Sequence, residues 1–164
     1  MPFSFLPLPF HSIHKLIQVI MKKKDKQELS YYGLLLLSYL KESHPEKADD
    51  NDFIRLRSEL AAEAYTNAVI NGYTQQSAEE IASSILYEDL LFSRYDTIRN
   101  VLVNEFTIVP AERINSLALE LLAPSEEVFS EYPINDAFAS SPEYIELYTE
   151  LVGFIDIWRE ENEL

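Results

Sequence analysis

The scarcity of glycine constrains the fold of this chain more than any other feature of its sequence. Its 164 residues include only Gly33, Gly72 and Gly153, which lie too far apart to build a glycine-rich phosphate loop. No segment combines alternating apolar residues with turn glycines, the pattern typical of β-hairpins. Residues 101–109 are the one stretch that could hold a short strand. We therefore expect an all-α protein.

Apolar residues recur every three or four positions after Met21, which predicts about six helices in a compact multi-helix bundle. The first helix is predicted from about Lys26 to Ser43, and it ends where His44 precedes Pro45. Its centre, residues 33–40, is apolar on every side. A helix with no polar face is buried, so we expect this helix to lie at the centre of the bundle.

The next two helices have recognisable ends. Aspartates at positions 49, 50 and 52 suit the positive end of the second helix, and Gly72 suits a left-handed stop after it. The third helix begins near Thr74 or Ser77, where Ser77 and Glu80 match a capping box. The predicted buried stripe of the second helix is Phe53, Leu56, Leu60, Ala64 and Ala68, and that of the third is Ala78, Ile81, Ala82, Ile85 and Leu86.

Three further helices follow, with a short helical turn and an irregular crossing between residues 125 and 140. The fourth helix starts at Ser93, which Asp96 follows three residues later, and the fifth starts at Pro110. The last opens at Ser141-Pro142. The predicted buried residues are Ile98, Val101, Leu102 and Phe106 in the fourth helix, Ile114, Leu117, Ala118 and Leu121 in the fifth, and Tyr144, Tyr148, Leu151, Ile155 and Trp158 in the last.

The first twenty residues differ from the rest of the sequence. Three prolines interrupt them, and the lysine cluster at positions 22–24 follows the apolar stretch, whereas a signal peptide carries its positive charges first. The stretch is also too short and too polar to span a bilayer. We expect residues 1–20 to be a disordered or wrongly assigned extension, with translation starting at Met21 and one helical domain over residues 21–164. The alternative is that residues 1–20 form a weak amphipathic membrane anchor. For the protein as a whole we expect a cytoplasmic location.

Negative charge is concentrated near the C-terminus. The net charge is -15, and residues 120–164 contain twelve acids against the single base Arg159. This balance disfavours direct binding to nucleic acids or anionic lipid. A solvated surface is the common explanation for such a bias, and a binding face for a basic protein is the alternative. The candidate partner-binding residues are Glu143, Glu146, Glu150, Glu160 and Glu161.

No residue pattern predicts a catalytic, cofactor-binding or metal-binding site. The chain has no cysteine, so it has no thiol nucleophile and no thiolate ligand. It has no Glu-x-x-His pair for a di-iron bundle and no Gly-x-Ser-x-Gly elbow. A glycosidase-like pair of carboxylates remains open, because the two acids need not be close in sequence. His44, at a helix end, is expected to stabilise the last carbonyls of its own helix.

The stretch from Tyr31 to Phe106 resembles a family of small, all-helical bacterial proteins of unknown function, often encoded near mobile elements. The resemblance implies a helical fold and brings no activity with it. The residues that carry it are Tyr31-Tyr32, Ser38-Tyr39-Leu40-x-Glu42-Ser43-His44-Pro45, Asp52-Phe53-Ile54-x-x-Arg57, Ala61-x-x-Ala64-Tyr65, Gly72-Tyr73, Phe92-Ser93-x-Tyr95-Asp96-Thr97 and Asn104-Glu105-Phe106.

Together these features predict a non-enzymatic protein-interaction or regulatory module. One alternative is an acidic decoy that mimics DNA, which would need acids spaced like duplex phosphates along one face. Another is a carboxylate-based enzyme, which would need clustered, buried acids. The sequence leaves the identity of a partner and the oligomeric state open.

Overall fold

A computed structural model describes residues 31–164. This part of the chain contains seven α-helices and three short 3-10 helices and no β-strand, which confirms the all-α prediction. The expected extension at residues 1–20 and the predicted start of the first helix lie outside the described residues. Within the described range, none of the helices is both long enough and apolar enough to cross a membrane.

The helix bounds agree with the predicted order of elements. The short helical turn predicted between residues 125 and 140 is the sixth of the seven helices. The α-helices are α1 (residues 31–43), α2 (Asn51–Ile70), α3 (Gln75–Leu86), α4 (Arg94–Glu105), α5 (Ile114–Leu121), α6 (Glu126–Ser130) and α7 (Glu143–Glu161), and the 3-10 helices are Pro45–Lys47, Ala111–Arg113 and Phe138–Ser140.

The described residues divide into two units, of which the first comprises residues 31–35 and 52–86. Its buried side chains are mostly alanines of α2 and α3. Arg57 of α2 donates a hydrogen bond to the carbonyl oxygen of Ile85 in α3, at 3.1 Å. The alanine-lined faces allow neighbouring backbone to approach closely, which the larger apolar side chains would prevent.

The predicted buried stripe of α2 is wrong at its two leucines and right at Ala68. Leu56 and Leu60 are exposed, and the buried residues of the helix are Ser58, Ala61, Ala62 and Ala68. Each residue of an α-helix is rotated by about 100° from the residue before it. Ala61 is buried and Leu60 is exposed, so the buried side lies roughly 100° around the helix from the predicted one. Large apolar side chains dominated the sequence pattern, whereas the packing uses the small ones.

The expectation that the first helix is buried on every side is also wrong. Leu36 and Leu40 are fully buried, but Tyr31 and Leu34 are exposed to solvent. Helix α1 is therefore amphipathic, and its leucine-rich composition conceals a single buried stripe at four-residue spacing.

Three of the helix ends are explained by local side chains. Gly72 has a φ of 85° and ends α2, with the amide of Tyr73 donating to the Ala68 carbonyl at 3.0 Å. Thr74 caps α3, because its hydroxyl accepts from the Ser77 amide at 3.2 Å; the Ser77 capping box is thus wrong and the Thr74 alternative is right. Ser93 caps α4 as predicted, accepting from the Asp96 amide at 2.9 Å.

The second unit comprises residues 36–51 and 87–164. In this unit α4 packs against α5 and α7, and α6 packs against α7. All eight core residues predicted for the fourth and fifth helices are buried, so those predictions are confirmed. One of them, Phe106, lies just after the end of α4. Pro110 precedes the 3-10 turn that leads into α5. Residues 101–109 form the end of α4 and a turn, with no strand.

Candidate functional site

The five glutamates singled out in the sequence all lie on α7, and all are exposed. Glu143, Glu146 and Glu150 are three and four residues apart, so they form one stripe along the helix. With a rise of about 1.5 Å per residue, Glu161 lies about 27 Å along the helix from Glu143. We call the outward side of α7, with Glu143, Glu146, Glu150, Glu160 and Glu161, the acidic face.

The acidic face points outward because the opposite side of α7 is anchored in the core. Leu147, Leu151 and Ile155 are fully buried, and Tyr144 and Trp158 are half-buried against the same cluster. The sequence predicted this anchor except for Leu147. Burial of three aliphatic side chains stabilises the helix by about 1.5–3 kcal/mol each relative to exposure, which is enough to hold its orientation.

No lysine or arginine in residues 31–164 forms an ion pair with any of the five glutamates. Arg159, the one base of α7, instead pairs with Asp156 at 3.0 Å and lies over the ring of Phe106, 5.7 Å from its centroid. Like charges four residues apart repel by a few tenths of a kcal/mol. The acidic face therefore carries negative charge that its own helix leaves uncompensated.

One neighbour of the acidic face is a tyrosine that the sequence reasoning missed. Burial raises the pKa of the Tyr132 hydroxyl, and the neighbouring carboxylates of Glu150 and Glu146 raise it further. Tyr132 remains protonated at neutral pH and is a hydrogen-bond donor beside the glutamates.

Two features of the acidic face suit contact with another protein. Ile157 is 60% exposed and lies seven residues after Glu150, so it continues the same stripe. Gly153 is exposed between them, and a Cβ added there would meet no atom within 4 Å. The stripe thus combines charge, an uncovered apolar side chain and open space over the backbone. The seven-residue repeat was a signal that could have revealed Ile157 from the sequence.

A polar cavity of about 490 Å³ lies elsewhere in the second unit. Its volume falls within the range of ligand pockets. It is lined by charged and apolar side chains, and sequence reasoning did not predict it, although it singled out His44, one of the lining residues. Its lining residues are His44, Glu46, Lys47, Asp89, Phe92, Arg94, Leu122, Ala123, Glu126 and Ile134.

His44 is the most buried polar side chain of this cavity, at 4% exposure. Its Nε2 donates to the carbonyl oxygen of Leu90 at 2.7 Å, because a carbonyl can only accept. Its Nδ1 lies 3.5 Å from a carboxylate oxygen of Glu46. The ring therefore ties the end of α1 to residue 90. His44 thus has a structural role, as predicted, but the carbonyl that it binds belongs to Leu90 and not to its own helix.

Two further charged side chains of the polar cavity, Arg94 and Glu126, pair with each other. Arg94 also lies over the ring of Phe129. Both ring nitrogens of His44 face partners, so neither is free to act as a general base. Within residues 31–164, no group of three His, Asp or Glu side chains is placed to hold a metal ion.

The polar cavity predicts an acid-sensitive contribution to stability at Glu46. Burial raises the pKa of its carboxyl, but the hydrogen bond to His44, a backbone hydrogen bond and nearby positive charge outweigh burial, so the net pKa is lowered. Because the pKa of Glu46 is lower in the folded protein, its carboxylate stabilises the fold at pH values above 4.5, the ordinary pKa of the group. This stabilisation is lost as the pH falls through the lowered pKa. Glu46→Gln should reduce the free energy of unfolding at pH 7, and this deficit should disappear once the pH has fallen below the lowered pKa of Glu46.

Urea unfolding between pH 3 and pH 7 measures this difference. Glu79→Gln, on an exposed part of α3, makes the same change in net charge and serves as the control. A deficit for Glu46→Gln that stayed constant across the whole pH range would show that the carboxylate form of Glu46 contributes nothing specific.

Comparison with known proteins places this sequence in a defined group. A family model described as "Domain of unknown function (DUF1896)" matches residues 24–164. The crystal structure of protein PG0816 from Porphyromonas gingivalis is similar, with 43% sequence identity and a TM-score of 0.82. The match covers 87% of this chain and 97% of that one. No curated protein shows significant similarity to the sequence.

Proposed function

The chain belongs to the DUF1896 family, and we propose that it is a non-enzymatic protein-interaction module whose acidic face binds a basic helix of a partner protein. The observation that carries this proposal is a row of exposed glutamates that form no ion pair within residues 31–164, on a helix whose other side is fixed in the core. Such a row attracts a positively charged surface and leaves its own helix in place when that surface binds.

The spacing of charge favours a protein partner over mimicry of DNA. Duplex DNA carries one negative charge per about 1.7 Å of its axis, whereas five glutamates over about 27 Å give one per about 5 Å. The exposed Ile157 within the row also has no counterpart in a phosphate backbone. Both features suit a partner with apolar as well as basic side chains.

The geometry also indicates the kind of partner. Glu143, Glu146, Glu150, Gly153 and Ile157 are separated by alternating steps of three and four residues, the spacing of a helix-pairing seam. Gly153 leaves room for a close approach of backbone at the middle of the seam. A helix carrying Lys or Arg on either side of an apolar residue complements this seam in charge and shape.

The position of these acids does not favour a carboxylate-based enzyme, because they lie along an exposed helix rather than in a cleft. A catalytic pair of carboxylates needs a shared pocket that holds the substrate between them. None of these glutamates lines the polar cavity, and the Glu46 and Glu126 carboxylates that do line it face His44 and Arg94.

The test begins with a partner isolated from the native host, whose association and dissociation rates are then measured. Changing Glu143, Glu146 and Glu150 together to Gln should slow association roughly tenfold at low salt, since surface charges act mainly on the on-rate. The effect should shrink as salt rises, because the screening length is about 8 Å at physiological ionic strength.

A matched control changes Glu63, Glu79 and Glu80 to Gln, which alters net charge equally on exposed parts of α2 and α3. For the apolar component, Ile157→Ser should speed dissociation, whereas Ile145→Ser, on another side of α7, should not. The proposal is wrong if the α7 triple variant associates at the wild-type rate at every salt concentration.

A further inference from the structure

A second cavity lies beneath α7, on the side of the helix opposite the acidic face. Its volume is about 130 Å³. The inner wall is made of apolar side chains that come from α4, the residue after it, α5 and α7. They include Leu102, Phe106, Leu117, Leu121, Ile155 and Trp158. An apolar cavity of about 150 Å³ stays dry and binds benzene. This cavity therefore matches an apolar body of the size of one six-membered ring.

Two arginines stand at the edge of this apolar cavity. Arg159 lies over the ring of Phe106, 5.7 Å from its centroid, and Arg113 borders the cavity near the start of α5. Each has one acidic neighbour, Asp156 for Arg159 and Glu120 for Arg113, and each pair leaves further N–H donors of the guanidinium group unused.

The Nε of Arg159 is the decisive atom. It is buried, and within residues 31–164 it has no hydrogen-bond partner. Buried polar groups in native proteins are almost always hydrogen-bonded, and an unpaired donor on a charged group is especially costly. An acceptor oxygen of a bound molecule would satisfy this N–H group once the Arg159 side chain shifts to open the Nε, which is closed to solvent in the structure. A carboxylate suits it best, because its two oxygens match the fork of guanidinium donors.

We propose that this cavity binds a small apolar monocarboxylate, with its ring or short chain among the apolar side chains and its carboxylate at Arg159 and Arg113. This site is distinct from the acidic face, and its ligand is a small molecule rather than a protein. The charge of the two arginines selects an anion, and the volume of the cavity limits the apolar part to about one ring.

The only tryptophan of the chain, Trp158, lines the cavity and reports binding directly. Three probes of nearly equal shape separate charge from size: benzoate, the neutral benzamide and the cationic benzamidine. Benzoate should change the Trp158 fluorescence saturably at millimolar concentration or below. Benzamide should bind about tenfold more weakly, as expected for the loss of one charge-assisted hydrogen bond, and benzamidine should be weaker still.

Variants assign the effect to the cavity. Arg159→Gln should weaken benzoate binding about tenfold and leave benzamide binding nearly unchanged, since only the charged contact is lost. The matched control is Arg99→Gln, because Arg99 lies over the Tyr95 ring in the same way, 5.8 Å from its centroid, but outside the cavity. Leu117→Phe should fill the cavity and weaken benzoate and benzamide alike.

Three results would overturn the proposal: no saturable response of Trp158 to benzoate, equal affinity for all three probes, or unchanged benzoate binding by Arg159→Gln. If Leu117→Phe fails to fold, as circular dichroism would show, the arginine variants still decide the question. Changing the three α7 glutamates to Gln should leave benzoate binding unchanged. The ligand site and the proposed protein-binding face can therefore fail independently.

Discussion

Leu36→Ala is expected to lower the free energy of unfolding by about 2–5 kcal/mol, the range for truncating a buried leucine. Leu36 lies in α1 and is 0% exposed. Its removal takes apolar area out of the core and leaves a cavity that the surrounding side chains fill only in part. Urea unfolding, analysed with the same slope for both proteins, measures the loss.

Leu60→Ala is the matched control, since it makes the same chemical change at a position that is 53% exposed. We expect a loss within about 0.5 kcal/mol, as for other surface substitutions. The sequence pattern assigned both leucines to the core, so the two variants compare the predicted with the observed buried face. Equal losses at the two positions would mean that the burial of α2 described above is wrong.

Phe138→Ala is expected to lower the free energy of unfolding by about 3–5 kcal/mol, because the phenyl ring is larger than an aliphatic side chain. Phe138 is 2% exposed. Its ring meets that of Phe92 edge-on, with 5.2 Å between centroids and an interplanar angle of 87°. The rings of Tyr132 and Tyr144 lie 6.0 and 6.4 Å away. Such aromatic pairs contribute about 0.5–1.5 kcal/mol beyond the area they bury.

Phe138→Leu separates burial from the aromatic contacts, since leucine keeps most of the apolar volume but none of the edge-on geometry. Its loss should be clearly smaller than that of Phe138→Ala. Thermal or urea unfolding of the two variants gives the comparison. If Phe138→Ala cost less than about 1 kcal/mol, near the average for any substitution, the aromatic cluster would not hold the region after α6 in place.

The orientation of the acidic face was predictable because it depends on local periodicity. Glutamates at positions 143, 146 and 150 and apolar residues at 151 and 155 occupy different sides of any α-helix that contains them. Burial of the apolar side then directs the acids to solvent. The caps at Gly72 and Ser93 were predictable for a similar reason, because a cap is formed by residues within one turn of the helix end.

The choice between two apolar faces was not predictable. Helix α2 offers leucines on one side and alanines on another, and the structure buries the alanines. Periodicity finds every face of a helix that is apolar, but the faces of the neighbouring elements decide which one is covered. The exposed side of α1 follows the same logic, since Leu34 and Leu36 differ in what surrounds them and not in their chemistry.

The candidate ligand sites depend on contacts that leave no pattern in the sequence. Arg94 meets Glu126 across 32 residues, and the His44 ring reaches the carbonyl of Leu90 across 46. Asp136 accepts from the amides of Asp89 and Leu91, at 2.9 and 3.0 Å, and holds Asp89 at a φ of 62°. A positive φ is uncommon for a residue other than glycine, and here the two hydrogen bonds to Asp136 hold the backbone in that conformation.

The sequence alone therefore determined the helical class, the order of the helices, most of their ends and the outward row of glutamates on α7. Each of these depends on residues within about one or two helical turns, where backbone geometry sets the distances. Only the tertiary structure decided which face of α2 is buried, which charges are paired and where the two cavities lie. Those features require atoms within about 3–4 Å that are tens of residues apart in the chain, and no local spacing rule specifies such pairs.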